Sequence, residues 1–162
     1  MAGDLGDFDK HLDCCSVRGR VFKETNCKVY FPAHDRGWIC LSGSTYSAEH
    51  EYKSKLADLL FAWKTNNSDF LACVLELKSG VIRVSGVVEQ LQHGAQLVDD
   101  FLKDITVNFL PVLVHGAIST TTYRELAKHK VSFRGEGMGI DLLKCGGKVD
   151  DLKWPLSTTR RT

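Results

Sequence analysis

Hydrophobic and polar positions divide the chain into segments of different period. Leu56 to Trp63 (LADLLFAW) and Phe70 to Lys78 (FLACVLELK) are short apolar runs on either side of a polar stretch, Lys64 to Asp69. Short apolar runs bounded by turn-forming residues are expected to be buried strands. A connector this brief makes the pair an antiparallel hairpin. From Gly86 to Ile105 the spacing changes to that of a helix. Val87, Leu91, Val98, Phe101, Leu102 and Ile105 share one face, with Gln96, Asp99, Asp100 and Lys103 opposite. Asn108 to His115 (NFLPVLVH) is the next strand, and Pro111 within it suggests an edge position or a bulge because proline lacks a donor.

The flanking parts are less regular. Asp9 to Val17 is a candidate short helix. Val21 to Phe31 and Trp38 to Ser42 are candidate strands around a turn at Pro32 to Gly37, and Ala48 to Lys53 is a candidate helix. Thr122 to Lys130 is expected to be helical, capped by Thr120 or Thr121. Val131–Phe133 and Ile140–Lys144 are expected to close a C-terminal hairpin across Gly135 to Gly139, a loop needing positive φ. The expected fold class is α/β (α+β), a central mixed sheet flanked by helices. Residues 1–150 form one domain, and 151–162 a polar tail ending in Arg160 and Arg161.

Composition narrows the function more than the fold. With 162 residues, 43% hydrophobic and 25% charged, the chain has the makings of a globular core. Its net charge of +1 argues against coating of nucleic acid by bulk attraction and leaves a local groove, a second copy or a partner as the means of grip. No run is long enough to span a bilayer, and the acidic start with Asp4, Asp7 and Asp9 does not resemble an export signal. A cytoplasmic protein without membrane contact is expected. In that setting the six cysteines are read as free thiols rather than a disulfide framework, and none forms the closely spaced pair that zinc requires.

Three charges in the apolar hairpin carry the chemistry. Asp58 is the only charge between Leu56 and Trp63, while Glu76 and Lys78 share one face at the end of a strand buried on both sides. Antiparallel pairing brings the start of the first strand to the end of the second, so the three meet. Gln90 falls within the apolar arc of the following helix, where a polar side chain needs a hydrogen-bonding partner. Two carboxylates beside a lysine suit a hard divalent cation, Mg²⁺ or Mn²⁺. Such an ion activates water and neutralises phosphate charge. Asp69 is excluded as the first acid. It lies at the far end of Glu76's strand, about 23 Å away at strand rise. His93 and His115 have no partners at metal-ligand spacing, and the basic cluster at Lys128, His129 and Lys130 is read first as a solvated surface.

These residues resemble the PD-(D/E)xK nuclease superfamily, the restriction-endonuclease-like fold, in its small bacterial or phage form. The likeness rests on Asp58 in Leu56-Ala-Asp-Leu-Leu60, on Glu76-Leu77-Lys78, and on Gln90 in the next helix; it spans Trp38 to His115. The usual proline before the first acid is absent, with Leu56-Ala57 in its place. The resemblance implies that Asp58, Glu76 and the Leu77 carbonyl hold the metal and that Lys78 is the catalytic lysine. It also implies a further acid from the first helix, Glu51 with Glu49 in reserve. The activity implied is hydrolysis of phosphodiester bonds by an endonuclease, DNA favoured over RNA. Read from the residues alone, Lys128 and Lys130 would touch phosphates if DNA lay across their edge. A second copy or a partner protein would add grip. The alternative is a non-catalytic member of the same fold that serves as a protein- or nucleic-acid-binding scaffold.

Overall fold

A computed structural model describes residues 15, 21–31, 38–64 and 70–152. The candidate helix at 9–17, the turn at 32–37, Asp69 and the C-terminal arginines lie outside these residues. The elements are β1 (Val21–Glu24), β2 (Cys27–Tyr30), β3 (Trp38–Ser42), α1 (Gly43–Glu49), β4 (Leu59–Lys64), β5 (Phe70–Lys78), α2 (Val84–Leu102), β6 (Val107–His115), α3 (Thr120–Leu126), β7 (Lys130–Phe133), β8 (Glu136–Gly139) and β9 (Asp141–Lys144). A 3-10 turn, Val149–Asp151, follows.

The fold is mixed α/β. A central five-stranded sheet runs β3-β4-β5-β6-β9, with small hairpins β1-β2 and β7-β8 beside it. β3, β4 and β5 are antiparallel, whereas β5, β6 and β9 are parallel. The switch occurs at α2, which carries the chain back so that β6 runs alongside β5, the crossover that parallel strands require. Both strand faces of β5 are covered. Val74 and Leu113 pack under Val87, Leu91 and Val98 of α2. On the reverse face Leu75, Leu59 and Val112 pack with Cys27 and Val29 of the β1–β2 hairpin. This double burial explains the near-continuous apolar runs.

Two glycines set the fit around the start of β4. A Cβ on Gly43 would lie 1.9 Å from the Ala57 carbonyl oxygen, so no other residue fits where α1 meets the chain entering β4. A Cβ on Gly94 would lie 3.0 Å from Val74 Cγ1, which shows how closely α2 sits on β5.

Several expectations are corrected. The first helix is α1 at 43–49, not 48–53, because Ser42 caps it by accepting from the Thr45 N–H. α3 begins at Thr120, and its cap is Ser119 rather than either threonine. The Gly135 to Gly139 stretch is not a loop. Arg134 and Gly135, at φ 52° and 79°, make a two-residue turn, and Glu136–Gly139 returns as β8 against β7. Asp141–Lys144 is thereby released to join the central sheet beside β6. Pro111 lies in an interior strand, but β9 pairs with β6 only from Val112 onward, so the proline has a strand on one side alone. Cys27 and Cys145 form a disulfide with Cα atoms 5.0 Å apart, against the free-thiol reading, while Cys40 and Cys73 are buried thiols. Leu152 is buried among the residues of the reverse face.

Candidate functional site

The site forms where β4 stops and β5 continues. Their pairing ends at Leu59↔Leu75, so Glu76, Leu77 and Lys78 extend beyond the last paired residue of β4. Asp58 lies just before that point. The Asp58 N–H donates to Glu76 Oε2 at 3.1 Å, and the Leu77 N–H donates to Asp58 Oδ2 at 2.8 Å. The two acids thus exchange backbone and side-chain bonds across the end of the sheet. Lys78 Nζ lies 2.8 Å from Glu76 Oε1. The Asp58 carbonyl is itself held by the Gly43 N–H at 2.9 Å.

Helix α2 fixes the approach to Asp58 with two side chains one turn apart. Gln90 Nε2 donates to the Leu56 carbonyl at 3.3 Å, and His93 Nδ1 lies 3.0 Å from the Lys55 carbonyl. Gln90 is only 5% exposed, yet its Oε1 has no protein partner among the described residues. Asp58 Oδ1 also lacks one. Both residues line the open cavity of the site, where solvent or a ligand can supply the donor.

These groups line one open cavity of about 310 Å³, with Asp58, Glu76, Leu77, Lys78 and Gln90 on its walls. Lys55 and, from the tip of the β1–β2 hairpin, Glu24 and Thr25 also line it. Burial is the main cause that pushes the Asp58 carboxyl up to about 6; the nearby Glu76 charge adds to it, and Glu24 contributes less. The Leu77 N–H and the Lys78 charge act in the opposite direction. A carboxyl held so high is easily shared between proton and cation near neutrality.

The four residues expected to meet, Asp58, Glu76, Lys78 and Gln90, are brought to this cavity. Glu51 is not. Because α1 ends at Glu49, Glu51 sits past the helix in an exposed turn at φ 49°, and neither acid lines the cavity. Glu24 lines the cavity instead. Sequence reasoning passed over it because it sits on a separate hairpin, and no local pattern signals that placement. Lys128 and Lys130 are exposed near the start of β7 and do not line the cavity either. His115 ends β6 in register with Lys78, buried, with Nδ1 2.8 Å from the Gly116 carbonyl.

As for a cation, no three His, Cys, Asp or Glu side chains gather in metal-binding geometry among the described residues. The oxygen donors present are the two carboxylates, the bare amide oxygen of Gln90 and the Leu77 carbonyl. Leu77 donates its N–H toward Asp58, and the carbonyl of a strand residue faces the same side as its N–H. An all-oxygen set with few protein ligands fits a hard cation that keeps several waters. No protein-family model, curated protein or solved structure matches the chain.

Proposed function

We propose that the chain is a metal-dependent nuclease that hydrolyses phosphodiester bonds, with DNA the favoured substrate. One observation carries the reading. At an open sheet end, two carboxylates and a lysine share a cavity with a buried glutamine whose oxygen has no donor among the described residues. Titratable groups clustered in a cleft are the usual sign of a site. On this reading Asp58, Glu76 and the Leu77 carbonyl hold Mg²⁺ or Mn²⁺. Such an ion supplies an activated water and neutralises charge on the phosphate. Lys78, half-buried and paired with Glu76, would orient an attacking water and stabilise the negative charge that develops on the phosphoryl oxygens. Gln90 holds the Leu56 carbonyl and so sets the position of Asp58 two residues on.

The restriction-endonuclease-like fold belongs to the same proposal. Its support is the run β4, β5, α2, β6, with the acid before β4 and the Glu-x-Lys at the end of β5. Among the described residues no helix is long and apolar enough to cross a membrane. A cytoplasmic setting remains part of the proposal, although the Cys27–Cys145 disulfide weighs against it, since such bonds persist in oxidising compartments.

Calorimetric titration with Mn²⁺ and Mg²⁺ tests the site directly. Saturable binding by the wild type that disappears in Asp58→Asn is the expected result. A second reading, the non-catalytic scaffold, is favoured by one feature: both Glu76 oxygens are satisfied within the protein, by Asp58 N–H and by Lys78. Absence of cation binding, together with undiminished partner binding in Glu76→Ala, would establish the scaffold instead.

A further inference from the structure

The β1–β2 hairpin has two chemically different faces. Phe22, Cys27 and Val29 turn toward the core, with Glu24 at the tip of the same row. Val21, Lys23, Lys28 and Tyr30 form the outer row, in which Lys23 stands directly opposite Lys28. Like charges opposite each other on an antiparallel pair repel and weaken the hairpin that carries them. The chain after β9 adds a third lysine. The Gly146 N–H donates to the Lys28 carbonyl, the Tyr30 N–H donates to the Gly147 carbonyl at 3.0 Å, and Tyr30 bridges Lys148.

These three lysines are exposed and pair with no acid among the described residues. Among the described residues the ion pairs are Lys78–Glu76 and Arg134–Asp99. Lys23, Asn26, Lys28 and Gly146 line a cavity of about 260 Å³. The next residues around the same turn, Glu24 and Thr25, line the cavity of the candidate site. The hairpin turn is therefore the common wall of an acidic hollow and a basic one. The Cys27–Cys145 disulfide joins the strand that bears Lys28 to the segment that leads to Lys148, so the row is held in place covalently. Lys28 Nζ lies 5.4 Å from the Tyr30 ring centroid, which favours its position along the row.

We infer that Lys23, Lys28 and Lys148 form a ledge that binds the phosphate backbone of DNA beside the scissile bond. The inference rests on the nuclease reading for what occupies the adjacent cavity. It supplies the local grip that a chain of net charge +1 needs and that bulk charge does not provide.

The test is fluorescence anisotropy of a short mixed-sequence DNA duplex with the full chain in EDTA, over a series of salt concentrations. Lys23→Glu with Lys28→Glu is expected to weaken binding by about tenfold or more, and the slope of log K against log salt to become shallower by roughly 0.9 per lysine lost. Lys128→Glu with Lys130→Glu makes the same charge change elsewhere and is expected to have a much smaller effect. The milder Lys23→Gln with Lys28→Gln, at unchanged melting temperature, must show the same ordering. Equal losses from the two sites, no loss from the hairpin pair, or no binding by the wild type would each overturn the ledge. Cleavage of the same duplex by the wild type in Mg²⁺ is scored separately. Cleavage with a hairpin pair that makes no difference to binding removes the ledge and leaves the nuclease. Binding lost in the hairpin variants without cleavage by the wild type keeps the ledge and removes the nuclease.

Discussion

The two ends of helix α2 treat polar groups in opposite ways. At its C-terminal end Arg134 donates to the Leu102 and Ile105 carbonyls and pairs with Asp99 at 2.8 Å, so a cation sits where the helix ends its dipole and leaves carbonyls open. At the helix centre, Gln92 bonds Ser132 reciprocally, its Nε2 to the carbonyl and its Oε1 from the N–H, both at 2.8 Å. That network ties the β7–β8 hairpin to α2 and is complete. Toward the N-terminal end, Gln90 uses only its amide nitrogen, and Asp58 leaves one oxygen bare. The same residue type, two positions apart, uses both ends of its amide within the fold in one case and only its nitrogen in the other, among the described residues. Paired polar groups hold the fold together; unpaired ones at an open cavity are where a ligand adds free energy.

Substitutions can break this contrast, and the largest effect is expected at the site. Glu76→Ala and Lys78→Ala should each reduce DNA cleavage by about a thousandfold or more with an unchanged circular dichroism spectrum. If both variants cut like the wild type, the site assignment is wrong. Arg134→Ala should do the reverse. Chemical denaturation should show a loss of about 2 kcal/mol, from an uncapped helix end and a broken ion pair, with cleavage unaffected.

The two glutamines give the sharpest comparison. Gln92→Leu is expected to cost about 1 kcal/mol of stability through the orphaned Ser132 groups and to leave activity intact. Gln90→Leu should change stability by less than Gln92→Leu while reducing cleavage by about a hundredfold, because Asp58 loses its positioned approach. Matching profiles for the two variants would erase the distinction drawn between the helix ends.

The smallest effect concerns pH. Folded, metal-free Asp58 holds its proton up to about 6, whereas the ordinary carboxyl value is 3.8. The unfolded chain therefore releases that proton first, and stability falls as pH rises between these values and is level above them. Asp58→Asn removes this loss. Metal-free Asp58→Asn should be more stable than the wild type at neutral pH by roughly 1–2 kcal/mol, allowing for its partial exposure, and the advantage should vanish below about pH 4. Cation affinity of the wild type should rise across pH 6 for the same reason.

How much of this was legible in the chain depended on distance along it. The bounds of β5, Phe70–Lys78, follow from the apolar run itself, and Asp58, Glu76 and Lys78 stood out because charge is costly in buried strands. Gln90 was visible because one polar residue interrupted an apolar helical face. What could not be read involves partners far away or choices between near-equals. Ser119, Thr120 and Thr121 are all able to cap α3, and only the backbone of Ser119 has the extended conformation that a cap needs. Glu24 reaches the cavity on a hairpin that packs from the opposite face of the sheet. The return of β8 depended on positive φ at Arg134, a residue without glycine's freedom.

The Cys27–Cys145 bond spans 118 positions, so it closes β2 through β9 into a covalent ring. A ring survives being opened once. A protease that cuts at any one peptide bond within it yields two pieces that still travel together on a non-reducing gel and separate only after reduction. The hairpin wall and the end of the sheet would stay tethered through such a cut, which gives the molecule a tolerance of clipping that an unbridged chain lacks.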